Sequence, residues 1–441
     1  LKSLLRHLQG DGLKAQMLKG AGGSAGLQAV NLVLTLISGV LLARALGPEN
    51  YGIYAFVLSV ITLLSLPAKA GLPTLLIREI AKNQLSQKWG LMRGLLRLSN
   101  RFALGYSLMA VAVAAICLFW FSGGGQSAQA ETFYWALLLL PLMAFDAVRA
   151  GTLRGLRLVL RAQLPEQIVR PLVLIILVGT LLLFGTELTP IIAIQFNLAG
   201  AFTAFILGSL LLIKSFPQNA VSAKAEYTIR PWAASLLPLS LFAGLKLLDS
   251  QISILFLGFL GTKEEVGLFR VAATGAALVS FGLQAVNMAL APQVARLYGA
   301  GETEKLQKLV TLSTRVAVAV SVPVAFVLMA WGEEIIALIF GDEYIPAAKA
   351  LIILCLGQLV NASAGSVALI LNMTGNDKST VLGAATALVV NFMLAIILIP
   401  LLGLSGAAIG FAVSLTIWNV ILMVMVKKKV GITTFLVLND R

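Results

Sequence analysis

The sequence predicts an all-α polytopic membrane protein of twelve transmembrane helices, arranged as two related six-helix lobes. Three observations predict it. Apolar residues make up 59% of the 441 and charged residues only 12%, a balance that a soluble core cannot hide and a bilayer can. Twelve apolar runs approach the ~20 residues needed to cross a hydrocarbon core about 30 Å thick. Finally, the chain repeats itself. LLARALGPENYGIYAF at Leu41–Phe56 returns as LGTKEEVGLF at Leu260–Phe269, with Gly52 aligned on Gly267. Each half therefore opens with the same helix–turn–helix, and repeats in membrane transporters place the working site at the interface between them.

In chain order, residues 1–26 form a cytoplasmic amphipathic segment. Leu1, Leu4, Leu5 and Leu8 recur at helical spacing among Lys2, Arg6, Lys14 and Lys19, a pattern that lies on a membrane surface. Its apolar stretch is too broken for a cleavable signal. The first lobe covers 27–213, with spans at 27–46, 52–76, 99–121, 132–150, 167–185 and 190–213. A cytoplasmic linker, 214–232, leads to the second lobe, 233–426. Its spans are 233–259, 267–290, 309–331, 347–371, 380–400 and 404–426, and a basic tail follows at 427–441. An even number of spans per half makes the lobes parallel repeats.

The loops support this count. Of the 33 lysines and arginines, 27 fall on one face, including Arg78 to Arg101, Arg149 to Arg170, and Lys427 to Lys429. The other face keeps Arg44, Lys263 and Lys349. The acids show no such bias, as a rule for Lys and Arg requires. Both termini are therefore placed in the cytoplasm, in a cytoplasmic (inner) membrane. The net charge of +14 is a topology signal and does not imply a nucleic-acid partner.

Several chemistries are excluded. The sequence has no GxxxxGK[ST] phosphate loop. Its one histidine, His7, leaves no Ser/His/Asp triad and no His-ligated zinc. Cys117 and Cys355 lie inside apolar runs and read as packing residues. No loop approaches the size of a soluble domain. Gly123–Gly125 reads as a flexible outer connector, and Glu264, Glu265, Glu333, Glu334, Asp342 and Glu343 read as solvated outer acids. The chain is not expected to be an enzyme, and no cofactor is implied.

Charge inside the membrane costs about 2.5–3.5 kcal/mol on insertion scales and is usually functional. Lys246 and Asp249 lie near the middle of the seventh span, three residues apart and so on one helix face. They read either as a self-neutralising pair or as a switchable pair lining a wet cavity. In the second case the lysine meets an anionic headgroup and the aspartate takes a coupling H⁺ or Na⁺. Lys69 lies in Pro67-Ala-Lys-Ala-Gly71-Leu-Pro73, where two prolines and a glycine must disturb the second span. Irregular helix at membrane depth is tolerated where it lines a cavity. Arg44 and Arg270 flank the two repeated turns and are candidates for an outer mouth. Asp146 and Arg149 read as a local ion pair. The amide pairs Gln28/Asn31, Gln284/Asn287 and Gln358/Asn361 share i, i+3 spacing. Interhelical hydrogen bonding is the default for such residues. The first two pairs, on the repeated hairpins, are also candidates for sugar hydroxyls. Gly406 and Gly410 read as close helix packing.

LARALGPENYGIYAF at 42–56, GLPTLLIREIAK at 71–82, DSQISILFLGFLGTKEEVGLFRVAA at 249–273 and NFMLAIILIPLLGLSGAAIGFAVS at 391–414 resemble the polysaccharide biosynthesis, or O-antigen-type repeat-unit flippase, family. This family belongs to the multidrug/oligosaccharidyl-lipid/polysaccharide exporter superfamily. The resemblance runs over essentially the whole chain. Phe269 stands where the family often has Tyr. The resemblance implies two six-helix lobes around a V-shaped central cavity, working by alternating access. It implies a polyprenyl-diphosphate-linked oligosaccharide as substrate, turned from the inner to the outer leaflet for surface polysaccharide such as lipopolysaccharide. Basic cavity residues would hold the diphosphate, and by position Lys69, Lys246 and Arg270 match. Peptidoglycan-precursor flippases of the superfamily carry two further C-terminal helices, so a count of twelve points away from that branch. Membrane lipid and other glycan-assembly membrane proteins are the further expected partners. Two other readings stand beside this one: an ion-coupled drug or small-solute antiporter of the same fold, and a non-transporting scaffold for glycan assembly.

Overall fold

The structure, a computed structural model, describes residues 13–69, 71–121 and 128–435. Most of the expected surface helix, the Gly123–Gly125 connector and the end of the tail lie outside these residues. Among the described residues, ten helices are long and apolar enough to cross a membrane. Two of them are pairs of helices joined across a glycine with non-helical backbone. In α1 (Leu13–Leu64) the break is at Gly47, with φ 71° and ψ 168°. Pro48 follows it, a residue suited to open the next helical arm because that arm's first N–H has no partner. In α17 (Asp377–Val430) the break is at Gly403, with φ 54° and ψ −128°. Counting both arms of each gives the twelve spans.

Between these two lie α2 (Leu66–Lys69), α3 (Leu72–Leu85), α4 (Trp89–Phe121), α5 (Ala128–Leu137), α6 (Leu139–Gly155) and α7 (Val159–Leu164). A π-helical turn, Pro165–Val169, leads into α8 (Arg170–Leu183), α9 (Pro190–Ser215), α10 (Gln218–Ser222) and α11 (Ile229–Leu260). Then come α12 (Lys263–Gly299), α13 (Thr303–Ala330), α14 (Gly332–Phe340), α15 (Ala347–Ala364) and α16 (Val367–Met373).

Contacts divide the chain into two units. The first is Leu1–Ala45 with Val60–Gly244, and the second is Leu46–Ser59 with Leu245–Arg441. In the first, α6 packs against α3, α4 and α9, around buried Leu72, Leu76, Ile80, Met92, Leu95 and Val148. The stretch 77–98, between the second and third expected spans, is mostly helix. α3 runs on to Leu85 and α4 starts at Trp89, because the polar residues there still alternate with an apolar face. The stretch after α10 is extended and pinned. Glu226 donates its N–H to the Gly90 carbonyl at 3.0 Å, and Arg93 donates to the Ala223 carbonyl at 2.5 Å.

In the second unit, α12 packs against α13 and α15, and α15 against α17. The core there includes Leu290, Val294, Val310, Ile370, Leu422 and Val426. The chain beyond α17 is fastened as well. The Gln307 side chain donates to the Thr433 carbonyl at 2.8 Å and accepts from the Thr433 N–H at 2.8 Å. Cys355 is buried, as a packing residue should be, but Cys117 is exposed. It lies on an outward face of α4 with Ile116, Phe119 and Trp120, an apolar surface suited to lipid.

Candidate functional site

The second span breaks where its prolines and glycine foretell. Pro67 sits in the four-residue α2, and Gly71, with φ 77°, precedes α3. The Ala68 and Lys69 N–H groups both turn to the Ser65 carbonyl, which strips the Leu64 carbonyl of its helical donor. Tyr106 supplies the replacement, donating its hydroxyl to Leu64 O at 2.6 Å. A side chain at Gly71 would collide with Ser240 of α11. Left-handed backbone and close contact thus both require glycine there. Lys69 is left half-buried at the end of α2.

Beside Lys69 stands a pair that the sequence reading assigned to a loop face or did not single out. Glu166 lies in the π-helical turn, and Arg170 closes it by donating its N–H to the Pro165 carbonyl. Pro165 and Pro171 have no N–H to give, and single π turns of this kind gather at functional sites. The Arg170 guanidinium is divided. Nη1 donates to Glu166 Oε2 at 3.0 Å. Nε and Nη2 donate to Asn197 Oδ1 at 3.2 and 2.8 Å. Lys69 is within electrostatic reach of both Glu166 and Arg170.

One face of α9 forms the floor of this cluster. Asn197, Gly200, Ala204 and Gly208 recur at three- and four-residue spacing, and all four are buried. Asn197 receives Arg170. A methyl on Gly200 would stand 2.8 Å from the Arg170 carbonyl. The Ala204 carbonyl accepts from Arg149 Nη1 at 2.7 Å, and a methyl on Gly208 would overlap the Arg149 guanidinium. Arg149 is therefore no loop base. It is only 3% exposed and forms the expected ion pair with Asp146. The small residues of α9 make the room in which Arg149 is buried and Arg170 half-buried.

In the second unit the structure separates what the sequence paired. Lys246 is exposed, and no carboxylate lies within 4 Å of it among the described residues. Asp249 instead accepts a hydrogen bond from Asn391 Nδ2 at 3.1 Å, across to α17. The amide, fixed in the core at 1% exposure, offers the carboxylate a partner already in place. The lysine head is left exposed on α11. Arg270 is exposed and lies within electrostatic reach of the Tyr51 hydroxyl.

The remaining candidates are scattered. Gln28 and Asn31 are half-buried on the first arm of α1, and Arg44 is exposed. Gln284 donates to Ser280 Oγ at 3.1 Å. The Asn287 Oδ1 atom is buried with no hydrogen-bond partner among the described residues. Gln358, Asn361 and Asn419 form a relay, with Asn361 donating to Gln358 at 3.3 Å and Asn419 to Asn361 at 3.1 Å. This is the interhelical role expected of amides. A methyl on Gly406 would overlap the Leu398 carbonyl, so that glycine does serve close packing.

Glu265 is not a solvated acid. It completes a capping box with Thr262 and accepts the Leu404 N–H at 3.1 Å, just past the Gly403 break. Two signals could have revealed the missed residues. Glu166 and Arg170 stand four apart between two prolines, and Thr262 and Glu265 have capping-box spacing.

Comparison with known proteins gives the fold and the family. The chain resembles a multidrug resistance MATE family transporter of the MOP superfamily, solved in an inward-facing conformation. The two are 16% identical with a TM-score of 0.76, over 91% of this chain and 94% of that one. It also resembles the lipid II flippase MurJ, at 14% identity and a TM-score of 0.73, over 91% of this chain and 86% of that one. These likenesses are of fold. A probable low-salt glycan biosynthesis flippase, Agl15 of Haloferax volcanii, is 27% identical over 176 residues. That match covers 39% of this chain and spans 36% of the relative's length. The MatE family model matches residues 238–397. The model described as "Polysaccharide biosynthesis protein" matches residues 17–298. The protein is thus a multi-pass membrane protein with the fold of MOP superfamily transporters, and it belongs to the polysaccharide biosynthesis protein family.

Proposed function

We propose that this protein is a flippase for a lipid-linked glycan. It moves a polyprenyl-diphosphate-linked oligosaccharide from the inner to the outer leaflet of the cytoplasmic membrane by alternating access, for surface polysaccharide such as O-antigen. Both termini are cytoplasmic in this reading. An oligosaccharide entering hydrocarbon leaves its hydroxyls unpaired, at several kcal/mol each by the higher estimates. The protein replaces that lost hydration with amides and fixed cations.

The observation that carries the reading is a surplus of positive charge at the broken second span. Arg149 has Asp146 and Arg170 has Glu166. Lys69 has no carboxylate within 4 Å among the described residues. A cluster that keeps one cation uncommitted suits a diphosphate and repels a cationic drug. Lys246 and Arg270 are the proposed contacts in the second unit, with Arg44 and the amides Gln28, Asn31, Gln284 and Asn287 toward the sugar. Asp249, held by Asn391, is the proposed H⁺ or Na⁺ ligand. The family match over 17–298 and the likeness to a glycan biosynthesis flippase support the same reading.

A second reading, an antiporter of drugs or small solutes, draws on the MatE match over 238–397, which contains Asp249. The deciding experiment is the sidedness of lipid-linked oligosaccharide in cells depleted of the protein. The flippase reading expects accumulation on the inner leaflet and loss of surface glycan. Unchanged glycan with altered sensitivity to cationic drugs would establish the antiporter instead.

A further inference from the structure

Glu166 is the anion on which the cations of the first unit converge. Arg170 of α8 donates to it at 3.0 Å, and Lys69 of α2 and Arg149 of α6 act on it electrostatically. Asp146 is taken by Arg149. Arg161 of α7 donates to Ser215. α9 presents Asn197 to Arg170 and carries its charge, Lys214, at its far end. Glu166 is thus already sitting where an incoming anion would sit.

The Arg170 guanidinium shows how an exchange would work. Asn197 holds Nε and Nη2 and so fixes the plane of the group. Nη1, the atom bound to Glu166, can then change partners without the arginine moving. A phosphate oxygen is a stronger competitor than a carboxylate oxygen when both Lys69 and Arg170 bind it. A half-buried carboxylate that loses its counter-ions and comes to face a second anion no longer has its charge stabilised. It takes a proton.

We propose that Glu166 is the resident counter-ion of this cluster and exchanges with the substrate anion. When a diphosphate takes Arg170 Nη1 and Lys69, the displaced carboxylate binds one proton from solvent. When the diphosphate leaves, Glu166 gives up that proton and pairs again with Arg170. Each anion loaded therefore brings one proton with it. Glu166 is a coupling residue distinct from Asp249, and this rests on the reading that the cluster receives a diphosphate.

The test uses the full chain in lipid nanodiscs, with farnesyl diphosphate as the probe. Titration calorimetry at one pH, in two buffers of different ionisation enthalpy, counts the protons taken up on binding. Wild type is expected to take up close to one proton more than Glu166→Gln, and Glu166→Asp to retain that uptake. Wild-type affinity should fall about tenfold for each pH unit raised, beyond any change in Glu166→Gln. Glu166→Gln should bind at least as tightly as wild type. Equal uptake in wild type and Glu166→Gln overturns the proposal, as does loss of binding in Glu166→Gln matching that in Lys69→Ala. If Glu166→Gln does not fold, Glu166→Asp against Arg170→Lys decides. The first keeps the exchanging carboxylate, so its uptake must stay, and absence of uptake there overturns the proposal. Failure of wild type to bind farnesyl diphosphate at all sinks the flippase reading itself, a result distinct from binding without proton uptake.

Discussion

Gly52 and Gly267 meet backbone to backbone. A methyl built on either would stand 3.1–3.2 Å from the amide nitrogen of the other, and would also overlap a carbonyl, of Lys263 from Gly52 and of Pro48 from Gly267. The two glycines that align in the internal repeat are thus the two that touch. Lys263 adds to the join, lying over the Phe56 ring at 4.5 Å and donating to the Gly258 carbonyl at 3.0 Å.

Gly52→Ala or Gly267→Ala should therefore destabilise the purified protein by about 1–3 kcal/mol, as overpacking does. A thermal melt in detergent checks it. Gly179→Ala, where an added methyl meets nothing within 4 Å, is the control and should melt like wild type.

The Arg149–Asp146 pair makes a second prediction. Asp146→Asn leaves a buried guanidinium without its counter-charge, which costs about 3–5 kcal/mol when a buried pair is broken. The loss should appear as lower yield and an earlier melt. Gly208→Ala should act in the same direction, by pushing on the same guanidinium, and combining the two should cost less than their sum.

Lys69 and Lys246 differ in burial, the first half-buried and the second exposed. Lys69→Ala should abolish glycan export with expression and insertion intact, and Lys69→Arg should retain part of it. Lys246→Ala is expected to give the same loss with the same rescue by arginine. Full export in Lys246→Ala, measured by complementation of surface glycan, would leave the binding role to the first unit. Asp249→Asn is expected to reduce export by uncoupling it from the ion gradient. Wild-type export that does not respond to a collapsed gradient would remove Asp249 from that role.

Glu265 is expected to act on stability without touching transport chemistry. Glu265→Ala removes both a helix cap and the partner of the Leu404 N–H, and should cost about 0.5–2 kcal/mol. Thr262→Ala should add a further loss, because it removes a different bond, the one Thr262 Oγ1 accepts from the Glu265 N–H.

Much of this was legible in the residues. The twelve spans, the broken helix at Pro67–Pro73, the Asp146–Arg149 pair and the Gln358/Asn361 pair all follow from local pattern. Hydropathy reports a span, and proline and glycine report a break, without knowledge of neighbours. The misses share a different cause. Asp249 chose Asn391, 142 residues away, over Lys246 three residues away, and i, i+3 spacing carries no information about the helix across. Arg149 and Arg170 read as loop bases because positive charge near a span end usually is. The room for them is made by Gly200 and Gly208, on another helix. Glu265 read as a solvated acid because its second partner, Leu404, belongs to another hairpin.

The breaks at Gly47 and Gly403 bear on how topology would be mapped. A count that fuses the arms on either side of each glycine gives ten crossings in place of twelve. Ten and twelve are both even, so reporter fusions at the two ends would agree with either count. Every loop between the first break and the second would nevertheless be assigned to the wrong side. An informative reporter therefore goes between them, in the stretch after Leu85 or after Ser215, where the two counts give opposite answers.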